Sequence, residues 1–78
     1  MWVLWTETIS TTNNYWTPVD RFESDRQCQR NLKKKVNSWR SRRDVNVGSN
    51  VVLLRKQDIA IAYSCLPDNV DPGQSKAE

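Results

Sequence analysis

The residues of this 78-residue chain that could do chemistry are two cysteines, Cys28 and Cys65, and a concentration of lysine and arginine between Ser24 and Arg43. The chain has no histidine, so it lacks the commonest general base and the commonest metal ligand. Two cysteines 37 positions apart with no histidine do not make a zinc site. A lone thiol with no imidazole to activate it is not expected to act as a nucleophile. The acidic residues are scattered and form no paired carboxylate site, and two glycines are too few for a phosphate-cradling loop. The composition therefore predicts no catalytic residues, no metal and no cofactor, and a protein that is not an enzyme. What remains for the cysteines is a disulfide or two buried thiols.

The basic residues are unevenly placed. Residues 24–43 hold eight basic residues and one acidic residue, a net +7, whereas the rest of the chain is −4. At 100° per residue, Arg26, Arg30, Lys33, Lys34 and Arg40 fall on one side of a helix, with Lys35, Arg42 and Arg43 nearer its flanks. Such a face is either solvated or a surface for nucleic acid or another polyanion, bound through phosphates without base readout. Cys28, Leu32, Val36 and Trp39 fall opposite, within an arc of about 80°, as a core-facing stripe. Trp5 and Trp16 are the other candidates, as a partner-binding pair on a hairpin with one side facing away from the helix.

The elements that must position these residues can be read along the chain. Trp2 to Ile9 reads as a strand, Ser10 to Asn14 as a turn with Asn13 or Asn14 able to take the left-handed conformation, and Tyr15 to Phe22 as a returning strand. Pro18 cannot donate to a ladder, which places this strand at an edge or a bulge within it. The long helix is predicted from Ser24 to Arg43. Ser24 and Gln27 form a capping box at its start, Asp25 complements the dipole there, and arginines crowd its end before Asn46 to Gly48. Asp44 to Asn50 reads as a polar loop, Val51 to Arg55 as a buried strand, and Lys56 to Asp58 as a turn. Ile59 to Cys65 alternates cleanly, with Ile59, Ile61, Tyr63 and Cys65 on the bulky face.

The order β-β-α-β-β predicts an α+β two-layer domain, an antiparallel sheet of four strands beneath one long basic amphipathic helix. Residues 1–66 form the domain and 67–78 a mostly disordered tail, with Leu66 to Val70 packed against the domain. The bulky face of the last strand meets the helix stripe, which puts Cys65 on the side of Cys28. A domain this small commonly needs a staple, and the pair would supply one.

Trp2-Val3-Leu4-Trp5, Phe22-Glu23-Ser24 followed by Cys28, and Tyr63-Ser64-Cys65-Leu66-Pro67-Asp68-Asn69-Val70-Asp71-Pro72 resemble a group of small bacterial proteins. Members of that group often follow an export or lipoprotein signal. The resemblance supports pairing Cys28 with Cys65 and implies no activity. The start of the chain is too short and lacks the basic n-region of a signal peptide. An exported or periplasmic location is expected over a cytoplasmic one if a leader precedes it. No apolar run approaches the roughly 18 residues of a membrane span. The expected role is that of a small protein-binding or structural module, monomeric or weakly dimeric, acting on a protein partner; weak polyanion binding through the basic helix is the alternative.

Overall fold

A computed structural model describes residues 1–75. In chain order the elements are β1 (Trp2–Ile9), β2 (Asn14–Phe22), α1 (Asp25–Asn37), β3 (Val45–Val47), β4 (Val51–Leu54), β5 (Ile59–Pro67) and the short α2 (Pro72–Ser75). The strands form a single antiparallel sheet in the order β2-β1-β5-β4-β3, and α1 lies on one face of it. This is the α+β two-layer arrangement that the element order predicts.

The register decides which side chains meet the helix. Leu4 pairs with Cys65, Thr6 with Tyr63, Val52 with Ile61 and Val47 with Val52, so these residues share the helix-facing side. Leu4, Val52 and Tyr63 from the sheet and Cys28, Leu32 and Val36 from α1 make the buried core. Trp2, Phe22, Trp39, Val45 and Leu54 pack around its rim.

Pro18 sits on the outer strand β2, opposite Trp5, beside an irregularity in the ladder between Leu4 and Trp5. Both readings of this proline therefore hold: it lies on an edge strand and beside a bulge.

The helix begins as its sequence dictates. The Ser24 hydroxyl accepts from the Gln27 amide at 3.2 Å. The Gln27 side chain reaches back to the Glu23 amide, also at 3.2 Å, one residue earlier than a regular capping box.

Its end differs from the prediction. The helix stops at Asn37 rather than Arg43, so its basic last turn is made by Lys34 and Lys35, and Arg40, Arg42 and Arg43 lie beyond it. After Asn37 the chain tightens into turns in which Trp39 donates to the Val36 carbonyl and Arg40 to that of Asn37. The tightening swings the Trp39 indole onto the sheet, where Nε1 donates to the Tyr63 hydroxyl at 3.1 Å. A tertiary contact here overrides the helical propensity of an arginine-rich run.

Three further differences concern the connections. Within the predicted loop Asp44 to Asn50, Val45–Val47 pairs with β4 as a short fifth strand, too brief to announce itself by alternation. Neither Asn13 nor Asn14 is left-handed; the first turn closes through Ser10, whose amide and hydroxyl both donate to the Asn13 carbonyl. The left-handed residue is Asp58 (φ 57°), which turns β4 into β5.

The tail is also partly placed. The Asp68 amide donates to the Met1 carbonyl, α2 packs on β2, and Pro72 is buried. The part of the predicted disordered tail that spans 76–78 lies outside the described residues.

Leu32 is 5% exposed and central to the apolar layer between helix and sheet. Leu32→Ala is expected to cost on the order of 2–5 kcal/mol, a large share of the stability of a domain this small. Urea denaturation of the two proteins checks this; a midpoint unchanged by the substitution would contradict the packing described.

Candidate functional site

The cysteines are brought together by the two elements predicted to carry them. Cys28 lies in the first turn of α1 and Cys65 near the end of β5, both on the inner side of the layer. Their sulfurs are 2.09 Å apart, the distance of a disulfide, and their α-carbons are separated by 6.1 Å, within the range of about 4.4–6.8 Å that such bonds span. Cys28 is fully buried. The pair tethers the first turn of α1 to β5.

The basic residues divide. Arg26, Arg30, Lys33 and Lys34 stand exposed on α1, away from the core. Arg40 is exposed in the turn after the helix, and its Nε donates to the Asn37 side chain at 2.9 Å. Among the described residues, the ion pairs are Met1 amino group to Asp68 at 3.8 Å and Lys56 to Asp44 at 3.4 Å. None of the five predicted polyanion-binding cations has a carboxylate at salt-bridge distance there. Arg42 leaves this face altogether and lies over the Trp39 ring, 4.9 Å from its centroid.

Lys33 borders three adjoining depressions. The largest, about 590 Å³, lies between α1 and the end of β5 and is bounded by Gln29, Leu32, Lys33, Asn50 and Cys65 among others. A second runs outward past Arg26 and Arg30, and a third along the helix to Asn37 and Arg40 beside Ser49. Among the described residues, no carboxylate lines any of them. Asn50 shapes the largest: its carbonyl accepts from the Tyr63 amide at 2.8 Å, and its side-chain nitrogen donates to the Tyr63 carbonyl at 3.3 Å. Nothing in the sequence singles out Gln29, Ser49 or Asn50, because an asparagine shortly after glycine reads as turn chemistry and nothing more.

Trp5 and Trp16 both lie on the sheet face opposite the helix, since Trp5 pairs with Ser64 and Trp16 with Glu7. Both are half-buried rather than open. Val3 on the same face is only 5% exposed. The short α2 that follows Asp68 contacts β2.

The other half of the face is open at Leu53 and half-buried around it. Val51 and Leu53 of β4 point there with Ala60 and Ala62 of β5 and Ile9 of β1. Leu53 is 46% exposed, so the strand read as buried on both sides is buried on one. A hollow of about 440 Å³ opens between Ile9, Leu53 and Ala60 at the turn end of the sheet. The signal for this face is present in the run Val51-Val52-Leu53-Leu54, which is apolar on both alternations.

Among the described residues, no helix is long and apolar enough to cross a membrane. Comparison of the chain with protein-family models, curated proteins and solved structures finds no match in any of the three.

The tether closes a loop of 37 residues, which in the chain-entropy model removes about 4 kcal/mol of unfolded-state freedom. Protein never exposed to reductant is expected to show oxidised-type β-carbon shifts at both cysteines and to gain the mass of two hydrogens on reduction. Its urea midpoint should fall on reduction by an amount equivalent to several kcal/mol. Coincident unfolding curves with and without reductant would show that the tether contributes no stability.

Proposed function

We propose that this protein is a non-enzymatic binding module that docks another protein on the sheet face opposite its helix. The observation that supports this is the mismatch between one helix and a sheet that is apolar on both sides. Helix α1 covers the face of Leu4, Val52 and Tyr63, while Ile9, Val51, Leu53, Ala60 and Ala62 lie on the other, with Leu53 46% exposed. Apolar surface left in water is a cost that association removes, and contiguous patches of this kind mark interaction sites. Trp5 and Trp16 border this region from the sheltered half and form its aromatic rim; the Trp5 indole nitrogen is buried without an acceptor among the described residues. The disulfide fits a life outside the reducing cytoplasm, in line with the export suggested by the resemblance to small bacterial proteins.

A second reading has its own support. Arg26, Arg30, Lys33 and Lys34 form an exposed cationic surface with no carboxylate at pairing distance among the described residues, as a non-specific polyanion site requires.

The two readings separate by salt and by position. A photo-crosslinking residue at Leu53 is expected to give a discrete protein adduct in the native cell that survives about 0.5 M salt, where phosphate contacts are largely lost. The same probe at Asp25, on the helix side, should not. Leu53→Asp, at a position 46% exposed and expected to cost on the order of 1 kcal/mol, should abolish an adduct formed through a neighbouring probe at Val51. Identical adducts from both positions, or none, would end the sheet-face reading. Retention on heparin at about 50 mM salt that is lost in R30E/K33E/K34E would then establish the polyanion reading in its place.

A further inference from the structure

The end of β5 is a second open feature, separate from the exposed sheet face. Strand β4 pairs with β5 only from Ile59 to Ala62. The ladder is closed by Asn50, which takes both the amide and the carbonyl of Tyr63. The chain then turns away through Gly48, whose amide donates to the Val51 carbonyl at 2.8 Å. On its other side β5 stays paired with β1 as far as Pro67.

Alternation fixes the direction of the next backbone groups. Tyr63 points its amide and carbonyl toward the β4 side, so Cys65 does too, while Ser64 and Leu66 point theirs at β1. The amide and carbonyl of Cys65 therefore face the position that β4 would occupy if it continued, whereas the Pro67 carbonyl accepts from the Val70 amide at 3.0 Å in the turn that follows. Among the described residues, no backbone hydrogen bond reaches the Cys65 amide or carbonyl from that side. Natural sheets rarely leave such a step unguarded.

This step opens into the depression of about 590 Å³ beneath α1. The Gln29 and Lys33 side chains overhang it, and Leu32 forms its apolar inner wall. Gln29 is held on the helix by Asp25, its amide nitrogen donating to the carboxylate at 3.3 Å, which leaves Lys33 as the charged residue of the lining. Arg40, braced by Asn37, continues the positive rim along the adjoining depression. The disulfide fixes the width of the groove, because it bonds the first turn of α1 to the strand residue that forms the groove's floor.

The geometry points to an extended peptide segment bearing a carboxylate, added to β5 as a short strand. Its backbone would exchange hydrogen bonds with the Cys65 amide and carbonyl. A glutamate or aspartate on its helix-facing side would meet Lys33, with the next such residue on that face approaching Arg40. Backbone pairing with alternate side chains read from one face is the general mode of strand addition. Here Pro67 has no amide and its carbonyl is taken by Val70, which limits the added ladder to the amide and carbonyl of Cys65, so the charge must supply the selectivity. Such a ligand is a protein segment and not a nucleic acid, because phosphates could satisfy Lys33 but would offer no match to the alternating donor and acceptor of Cys65.

The test is amide-resolved NMR on the oxidised protein. In the free protein the Cys65 amide should exchange with solvent while those of Ser64 and Leu66 are protected; a protected Cys65 amide would overturn the geometry. Acetylated and amidated hexapeptides of alternating valine and glutamate, in both registers, serve as probes at millimolar concentration. Shifts are expected at Cys65, Asn50, Gln29 and Lys33. Binding should weaken by about tenfold or more in K33E, and equally when alternate peptide amides are methylated, since each lost partner leaves a desolvated group behind. Leu53→Asp should leave it unchanged, which separates this site from the sheet-face reading. The absence of shifts in both registers would sink the inference. So would methylated peptide binding as well as its parent, or shifts confined to Arg26, Arg30 and Lys34.

Discussion

Helix α1 is held to the central strand at both ends, and the rest of the fold is arranged around that. At one end Cys28 is bonded to Cys65; at the other, Trp39 donates to the Tyr63 hydroxyl. Both anchors lie on β5, two residues apart, while on the helix side they are separated by the whole length of α1. The helix must therefore cross the sheet at an angle to its strands, with Leu32 and Val36 pressed on Leu4 and Val52 between the two points. One anchor is covalent and local to the groove; the other is a single hydrogen bond backed by ring packing. Their difference in strength implies that the Trp39 end is the first to open, whereas the Cys28 end keeps its geometry as long as the bond is oxidised.

Covering one face with one helix also sorts the charge. The thirteen residues of α1 carry five basic side chains and one acidic one, and all of the basic ones lie off the core stripe of Cys28, Leu32 and Val36. No charged or polar side chain is fully buried among the described residues. The helix layer is thus cationic on its outside. An anionic partner and an apolar partner would approach this molecule from opposite directions without competing.

Much of this is legible in the sequence, and the parts that are not have physical reasons. The capping residues Ser24 and Gln27, the alternation from Ile59 to Cys65 and the stripe of Cys28, Leu32 and Val36 are local patterns, and each forms the element it predicts. Their periodicities alone place Cys28 and Cys65 on facing surfaces. The end of α1 escapes such patterns because Trp39 reaches a partner 24 residues away, which no window on the sequence contains. Strand β3 escapes them because three residues carry too little alternation to outweigh their polar neighbours. The groove beside Cys65 is hidden for a different reason: it exists where β4 stops, and sequence patterns mark where pairing begins more clearly than where it is broken off.

The proline of β2 has a consequence beyond its own strand. Outer strands of nine and three residues bound this sheet, and the longer would ordinarily template the stacking of one copy on another. Pro18 removes a donor near the middle of that edge, and the adjoining irregularity opposite Leu4 and Trp5 breaks its register. Asp20 and Arg21 add charge to the half beyond. Two copies meeting edge to edge could zip only about four residues before losing alignment, too short a run for a fibril nucleus, whose segments are typically six or seven residues long. The tryptophan-bearing, β-prone hairpin of β1 and β2 is in this way guarded against stacking through its outer edge.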